Sequence, residues 1–164
     1  MTPIDRWSHR GSSADWVLLP MRLVIGAGFL LHGLAKWNRG PAGFGRLLAF
    51  LGVPLPVATA WMVTSLEIVG GLLLIAGLLV TLVSIPLAVS MLVAMFTIHV
   101  HYGFSSINTV GLTAAGPVFG PPGYEINLLY LAGLWALAVA APTRWSLDRW
   151  RLGSRSHPQV PAPS

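Results

Sequence analysis

A glutamate, Glu67, stands in the middle of an apolar stretch from Val57 to Val80, with Gly70 and Gly71 just behind it. The stretch is long enough to cross a bilayer, and a carboxylate at that depth is costly unless it is paired, protonated or wetted. Its candidate partners come from an earlier apolar stretch that carries Arg22, His32 and Lys36. Cationic donors beside a carboxylate can stabilise an anionic oxygen, and a carboxylate or an imidazole can relay a proton. His99 and His101, at the end of a third apolar stretch, add two more titratable groups.

Groups of this kind need a membrane scaffold to hold them, and the composition supplies one. The chain has 164 residues, 54% hydrophobic and only 9% charged, whereas soluble domains carry about 25% charged residues. We read a single integral membrane unit: an all-α bundle of four transmembrane helices with a short interfacial helix between the first and second spans. The net charge of +5 is no nucleic-acid signal, because the basic residues flank apolar spans instead of forming a face with interleaved aromatics. With no cysteine, a disulfide framework, a CxxC redox pair, thiolate iron–sulfur ligation and a cysteine nucleophile are all excluded. Any redox chemistry would need a bound cofactor or a diffusible carrier.

Residues 1–15 form a polar N-terminal segment, expected to be mobile. The membrane domain covers 16–142, and 143–164 is a basic and then disordered tail. The first span runs from about Asp15 or Trp16 to Trp37, with Asp15 as N-cap and Pro20 in the first turns. Arg22 interrupts the apolar run, so this span is expected to be retained and not cleaved as a signal. Between Asn38 and Pro56, Phe44, Leu47, Leu48 and Leu51 recur at helical spacing after Gly40-Pro41, which gives the interfacial helix. The second span is Val57–Leu79. The third is Thr81–Tyr102, with Pro86 as a kink site. Gly103 to Gly123 is a loop without Lys, Arg, Asp or Glu, and the fourth span is Tyr124–Ala141, closed by Pro142. Arg6, Arg10, Arg144, Arg149, Arg151 and Arg155 lie on one side, against Lys36, Arg39 and Arg46 on the other. The excess places both termini in the cytoplasm of a bacterial-type inner membrane.

Helical rotation of 100° per residue sorts the faces. Arg22, Gly26, Phe29, Gly33 and Lys36 share one stripe, with His32 at its edge. Glu67 shares another with Gly70, Gly71 and Leu74. Ser84, Ala88, Met91, Met95 and Tyr102 align on a third, with His99 slightly off line. From the rise per residue, Arg22 lies about 7 Å to one side of Glu67 and His32 about 7 Å to the other. An Arg22–Glu67 ion pair follows as the expectation, either a lock between two helices or part of a site. Lys36, His99, His101, Glu125 and Asn127 fall towards the outer end.

Each group also has a structural reading. His32 alone would simply hydrogen-bond a backbone carbonyl, and Lys36 alone would snorkel to head groups. His99 and His101 alternate wrongly for one helical face, so an interfacial pair ranks ahead of haem or metal ligation, and a haem protein is the weakest of the functional alternatives. No metal site is expected. Met91 and Met95 read as packing, Glu125 as a capping-region charge, and Trp7, Trp16, Trp37, Trp61, Trp145 and Trp150 as an aromatic belt.

Three segments in order, R-L-V-I-G-A-G-F-L-L-H-G-L-A-K (22–36), F-L-G-V-P (50–54) and S-L-E-I-V-G-G-L-L-L-I-A-G (65–77), resemble the DoxX family of small membrane proteins, and the similarity runs from about Leu19 to Ala141. The resemblance implies a four-helix membrane bundle, with Arg22, His32, Lys36 and Glu67 on the family's characteristic polar positions. It also implies a tie to quinone-coupled sulfur oxidation or to membrane-associated redox-stress complexes in some relatives. The leading functional expectation is therefore a subunit that binds a quinone or similar lipophilic carrier, held without a covalent bond. Glu67 and His32 would be the catalytic groups, and Arg22, Lys36, Glu67 and His99 the binding groups. Its partners would be the lipid bilayer and a redox protein or a second copy of itself, with no nucleic acid. A non-catalytic scaffold for a membrane complex ranks second. A small-solute transporter ranks third, since four helices without an inverted repeat make a poor one.

Overall fold

The computed structural model describes residues 11–140, 143 and 145–153. Six helices and one hairpin follow in order: α1 (Gly11–Arg39), α2 (Pro41–Phe50), α3 (Pro56–Ala76), α4 (Val80–Thr97), β1 (Thr109–Thr113), β2 (Gly116–Phe119), α5 (Glu125–Val139) and α6 (Leu147–Gly153). α1 packs along α3, α3 touches α4, α4 packs along α5, and α5 returns to α1, so four helices close a ring. Three of them are long and apolar enough to cross a membrane: Trp16–Arg39, Pro56–Ala76 and Val80–Thr97. α5 is equally apolar but has only 15 residues.

Prolines and left-handed residues set the boundaries. α2 starts on Pro41 and α3 on Pro56, where the missing amide would have had no partner. α3 stops at Ala76 because Gly77 takes φ 68 as its C-cap, and the Leu78 amide folds back to the Leu73 carbonyl. This corrects the expected end at Leu79. α4 begins at once, on Val80, and runs through Pro86. It ends at Thr97, and His99–Tyr102 tighten into a 3₁₀ turn before Gly103. The expected third span to Tyr102 is therefore α-helical only to Thr97, with Ile98 at φ −124 separating it from the 3₁₀ turn. α1 already includes residues 11–15, so Asp15 lies within the helix and not at its cap. Residues 1–10 and 154–164, expected to be mobile, are outside the described residues.

The interior of the ring is apolar. Phe29, Leu74, Leu87 and Leu134 are almost wholly enclosed, with Met91 and Leu137 beside them. Thr64 and Ser84 are also buried, and their hydroxyls donate to the carbonyls four residues back, Ala60 and Val80. A buried hydroxyl is thereby satisfied without a partner helix. The outward stripes are apolar too, with Val17, Val24 and Leu31 on α1 and Leu82, Ile85, Val89 and Phe96 on α4. Lipid accepts such a surface where water would not.

The segment Gly103–Gly123, expected to be loop throughout, holds a hairpin. β1 and β2 pair antiparallel through the two-residue turn Ala114-Ala115, with Gly116 at φ 117. A further addition is α6, in the basic segment after Pro142.

Candidate functional site

Close approach of α1 and α3 builds the site. A Cβ on Gly71 would lie 2.6 Å from the Gly26 carbonyl oxygen and from the Leu30 amide, and one on Gly33 would lie 2.7 Å from the Ile68 side chain. Glycine at these positions lets the two backbones touch, as small residues do at membrane helix seams. With the helices this close, Lys36 Nζ reaches across and donates to Glu67 Oε2 as a salt bridge. The Glu67 side chain is 6% exposed and that of Lys36 25%. The Lys36 ammonium also lies 5.1 Å from the centre of the Phe44 ring on α2, within cation–π range.

His32 lies one helical turn before Lys36, exposed at the edge of the seam. Its ring stacks on Tyr130 of α5, with centroids 6.1 Å apart and planes at 25°. Tyr130 in turn meets Phe29 edge-on at 5.2 Å. His99 Nδ1 is 2.9 Å from the Pro122 carbonyl oxygen, so this half-buried ring is tied to the root of the hairpin segment. His101 is exposed in the 3₁₀ turn.

The structure thus groups Glu67, Lys36 and His32, while His99 is held at the hairpin segment by Pro122. Arg22 stands apart, which corrects the expected Arg22–Glu67 pair. Antiparallel packing sets Arg22 opposite Gly77, about 15 Å along α3 from Glu67. The guanidinium donates from Nη1 to Thr143 Oγ1 at 3.0 Å and from Nη2 to the Trp145 carbonyl at 2.8 Å. Its Nε is buried without a hydrogen-bond partner among the described residues. Glu67 finds its cation on the other side, because Gly33 of α1 lies against Glu67 and Ile68 and Lys36 is only three residues, about 4.5 Å, further along that helix.

The Arg22 end forms a docking seat for the C-terminal segment. Gly77 carbonyl accepts from the Asp148 amide, and the Asp148 carboxylate accepts from the Leu79 and Val80 amides at 3.0 and 3.2 Å. α4 has no capping side chain of its own, so a carboxylate 68 residues away caps it. Asp148→Ala should lower stability by about 1 kcal/mol, a typical cap loss. Arg22→Met should cost more and release the segment. Amide exchange at Asp148 and Trp150 that stays slow in the Arg22 variant would contradict this.

Tyr130 is a contributor the sequence reading missed, and it shares the inward face of α5 with Asn127, three residues earlier; helical rotation applied to α5 places it there. Asn127 is 1% exposed, and its Nδ2 donates to Met91 Sδ at 3.0 Å. Met91 is thus packing and acceptor together. Glu125 is more than a capping charge, because its Oε2 accepts from the Ser106 amide and hydroxyl, both at 2.8 Å. The belt tryptophans Trp16, Trp37, Trp61, Trp145 and Trp150 are exposed, and Trp37 meets Trp61 edge-on at 5.5 Å. Trp7 lies outside the described residues.

A family model described as DoxX matches residues 17–100. The chain is 30% identical over 147 residues to the Mycobacterium tuberculosis protein named "Uncharacterized membrane protein Rv3486", covering 83% of this chain and 81% of that one. It is 29% identical over 87 residues to the Bacillus subtilis protein named "Putative oxidoreductase CatD", covering 52% of this chain and 62% of that one. No solved structure matches.

Proposed function

This chain belongs to the DoxX family, and from that premise we propose that it is a membrane redox subunit that binds a quinone or a similar lipophilic carrier at the Lys36–Glu67 pair. One observation carries the reading: an ammonium–carboxylate pair enclosed on the α1–α3 seam, with the His32 imidazole and the Tyr130 ring at its edge. A carbonyl oxygen of the carrier head group would approach Lys36, whose charge favours the reduced, anionic form. Glu67 and His32 would exchange protons with it. Phe44 and Tyr130 offer flat apolar faces to a ring, and lipid-facing stripes receive a tail. The oxidoreductase name of the CatD relative supports this direction. The chain has no cysteine, so thiol redox chemistry is excluded, and in this reading a redox partner supplies the electrons.

In this reading α5 is the fourth span, α2 lies in the interface, and both termini face the cytoplasm of the inner membrane. Arg22 belongs to the seat of the C-terminal segment and not to the carrier site. His99 stands towards the outer end of the site, at the root of the hairpin segment. A scaffold reading is favoured by the same seam, since a salt bridge between two close helices also locks them.

Native mass spectrometry with lipid extraction on gently purified protein separates the two. Wild-type protein is expected to retain a quinone that Lys36→Met/Glu67→Gln, a variant free of stranded charge, does not retain. A folded wild type with no small molecule and a partner protein held by both samples would establish the scaffold instead.

A further inference from the structure

The hairpin is built from residues that water would not hold. Leu112 is 83% exposed and Ile107 71%, and Val110, Val118 and Phe119 are exposed with them. From Gly103 to Tyr124 there is no Lys, Arg, Asp or Glu. A two-stranded hairpin alone is marginal in water at best and needs a helix or a further strand against it. Neither strand packs along any helix. Pairing of Leu112 with Pro117 puts both on one face, and Phe119 two residues on follows Pro117. The other face shows Val118 opposite Gly111. The face of Leu112, Pro117 and Phe119 is thus apolar, the other carries Val118 beside Thr113 and two glycines, and neither holds a charge or is covered by a described helix.

Two constraints fix where such an element can lie. Absence of charge and an apolar surface draw it towards lipid. The outer edges of β1 and β2 carry unpaired backbone groups, and an open sheet edge does not occur within the hydrocarbon itself. The level that satisfies both is the boundary between head groups and acyl chains.

Its attachment holds it at that level. The hairpin segment joins the end of α4 to the start of α5, and Phe104, exposed, meets Tyr124 edge-on at 5.5 Å. Asn108 Nδ2 donates to the Pro121 carbonyl at 3.2 Å, and the Gly120 amide to the Asn108 carbonyl at 2.8 Å. Glu125 clamps Ser106 below them. α5 rises only about 22 Å over its 15 residues, short of a hydrocarbon core of about 30 Å. An apolar segment at its start extends the lipid contact that the helix alone does not complete.

We propose that the hairpin Thr109–Phe119 is a lipid-binding element, seated in the head-group boundary of the leaflet where α4 ends and α5 begins. The occupant of its apolar faces is the bilayer surface, because the uncharged segment joins the adjacent ends of two apolar helices, α4 and α5, and so sits where they leave the lipid. Its seating also fixes Pro122, and through it the ring of His99.

The absence of cysteine makes the test direct. Single Leu112→Cys and Phe119→Cys variants carry an environment-sensitive fluorophore and are reconstituted in phosphatidylcholine vesicles. Both positions are exposed, so the labels leave the ring of helices intact. The expected result is a blue shift on reconstitution, with stronger loss of emission from lipids bearing a nitroxide near the head group than from lipids bearing it at the chain end. Quenching by aqueous iodide with no lipid quenching would overturn the proposal and leave the hairpin in water. Stronger quenching from the chain end would overturn the depth. Labels shielded from both quenchers, with energy transfer between copies, would replace the bilayer with a second protein chain as the occupant.

Discussion

Lys36→Met is expected to destabilise the protein far more than Glu67→Gln, although each removes the same salt bridge. Removing one partner of a buried pair costs about 3–5 kcal/mol when the survivor stays buried and charged. Methionine at position 36 leaves the Glu67 carboxylate, 6% exposed, on an apolar seam without its cation. Glutamine at position 67 leaves an ammonium that is already 25% exposed. Its flexible stem lets that ammonium move to head groups, at a cost of about 1 kcal/mol or less. The double variant has no stranded charge and should regain most of the stability lost by Lys36→Met. Thermal unfolding in detergent, followed by loss of the monodisperse peak, gives the stability order. Carrier retention gives a second, independent column: it should fall in all three variants, including the stable double variant. Equal stability losses in the two single variants would refute the burial asymmetry, and a double variant that keeps its carrier would remove the pair from the site.

How much of this was legible beforehand depends on what sets each feature. The inward faces follow from helical rotation alone. Arg22, Gly26, Phe29 and Gly33 are all buried, and so are Glu67, Gly70, Gly71 and Leu74. The DoxX resemblance was equally visible in three short segments of sequence. The partner of Glu67 was not. Arg22 and Lys36 lie on the same stripe, and only the register of α1 against α3 chooses between them. That register is fixed by the contacts of Gly26 and Gly33 with Gly71 and Ile68, which are tertiary facts. Asp148 as the cap of α4 is equally invisible, since capping signals are sought within a few residues and this carboxylate is remote in the chain. The hairpin escaped because Ala114-Ala115 is not a typical turn pair, and its strands are too short and glycine-rich to stand out. The five-residue strand and its four-residue partner alternate weakly, with apolar side chains on both faces. Local pattern thus identified which surfaces turn inward, and long-range packing decided what meets there.

Gly71→Ala is expected to destabilise the protein by about 1–3 kcal/mol, the usual range for overpacking, even though alanine favours the helix that contains it. The added methyl would lie 2.6 Å from two backbone atoms, the Gly26 carbonyl oxygen and the Leu30 amide nitrogen. Backbone cannot rotate aside as a side chain can, so α1 and α3 must separate. Gly43→Ala is the matched control. Its methyl would find only Arg46 Nη2, at 3.8 Å, and this substitution should be neutral or stabilising by up to about 1 kcal/mol. Gly71→Leu should prevent accumulation of folded protein altogether. The consequence reaches the site, because Lys36 spans to Glu67 only while the seam is closed. If α1 lifts from α3, the ammonium loses its partner before the ring of helices opens. Gly71→Ala should therefore lose carrier at temperatures where helix content, followed by circular dichroism, is still that of the wild type. A Gly71→Ala protein as stable as Gly43→Ala would mean that the helices are not in contact at this point, and that the pair is held together by something other than the glycine seam.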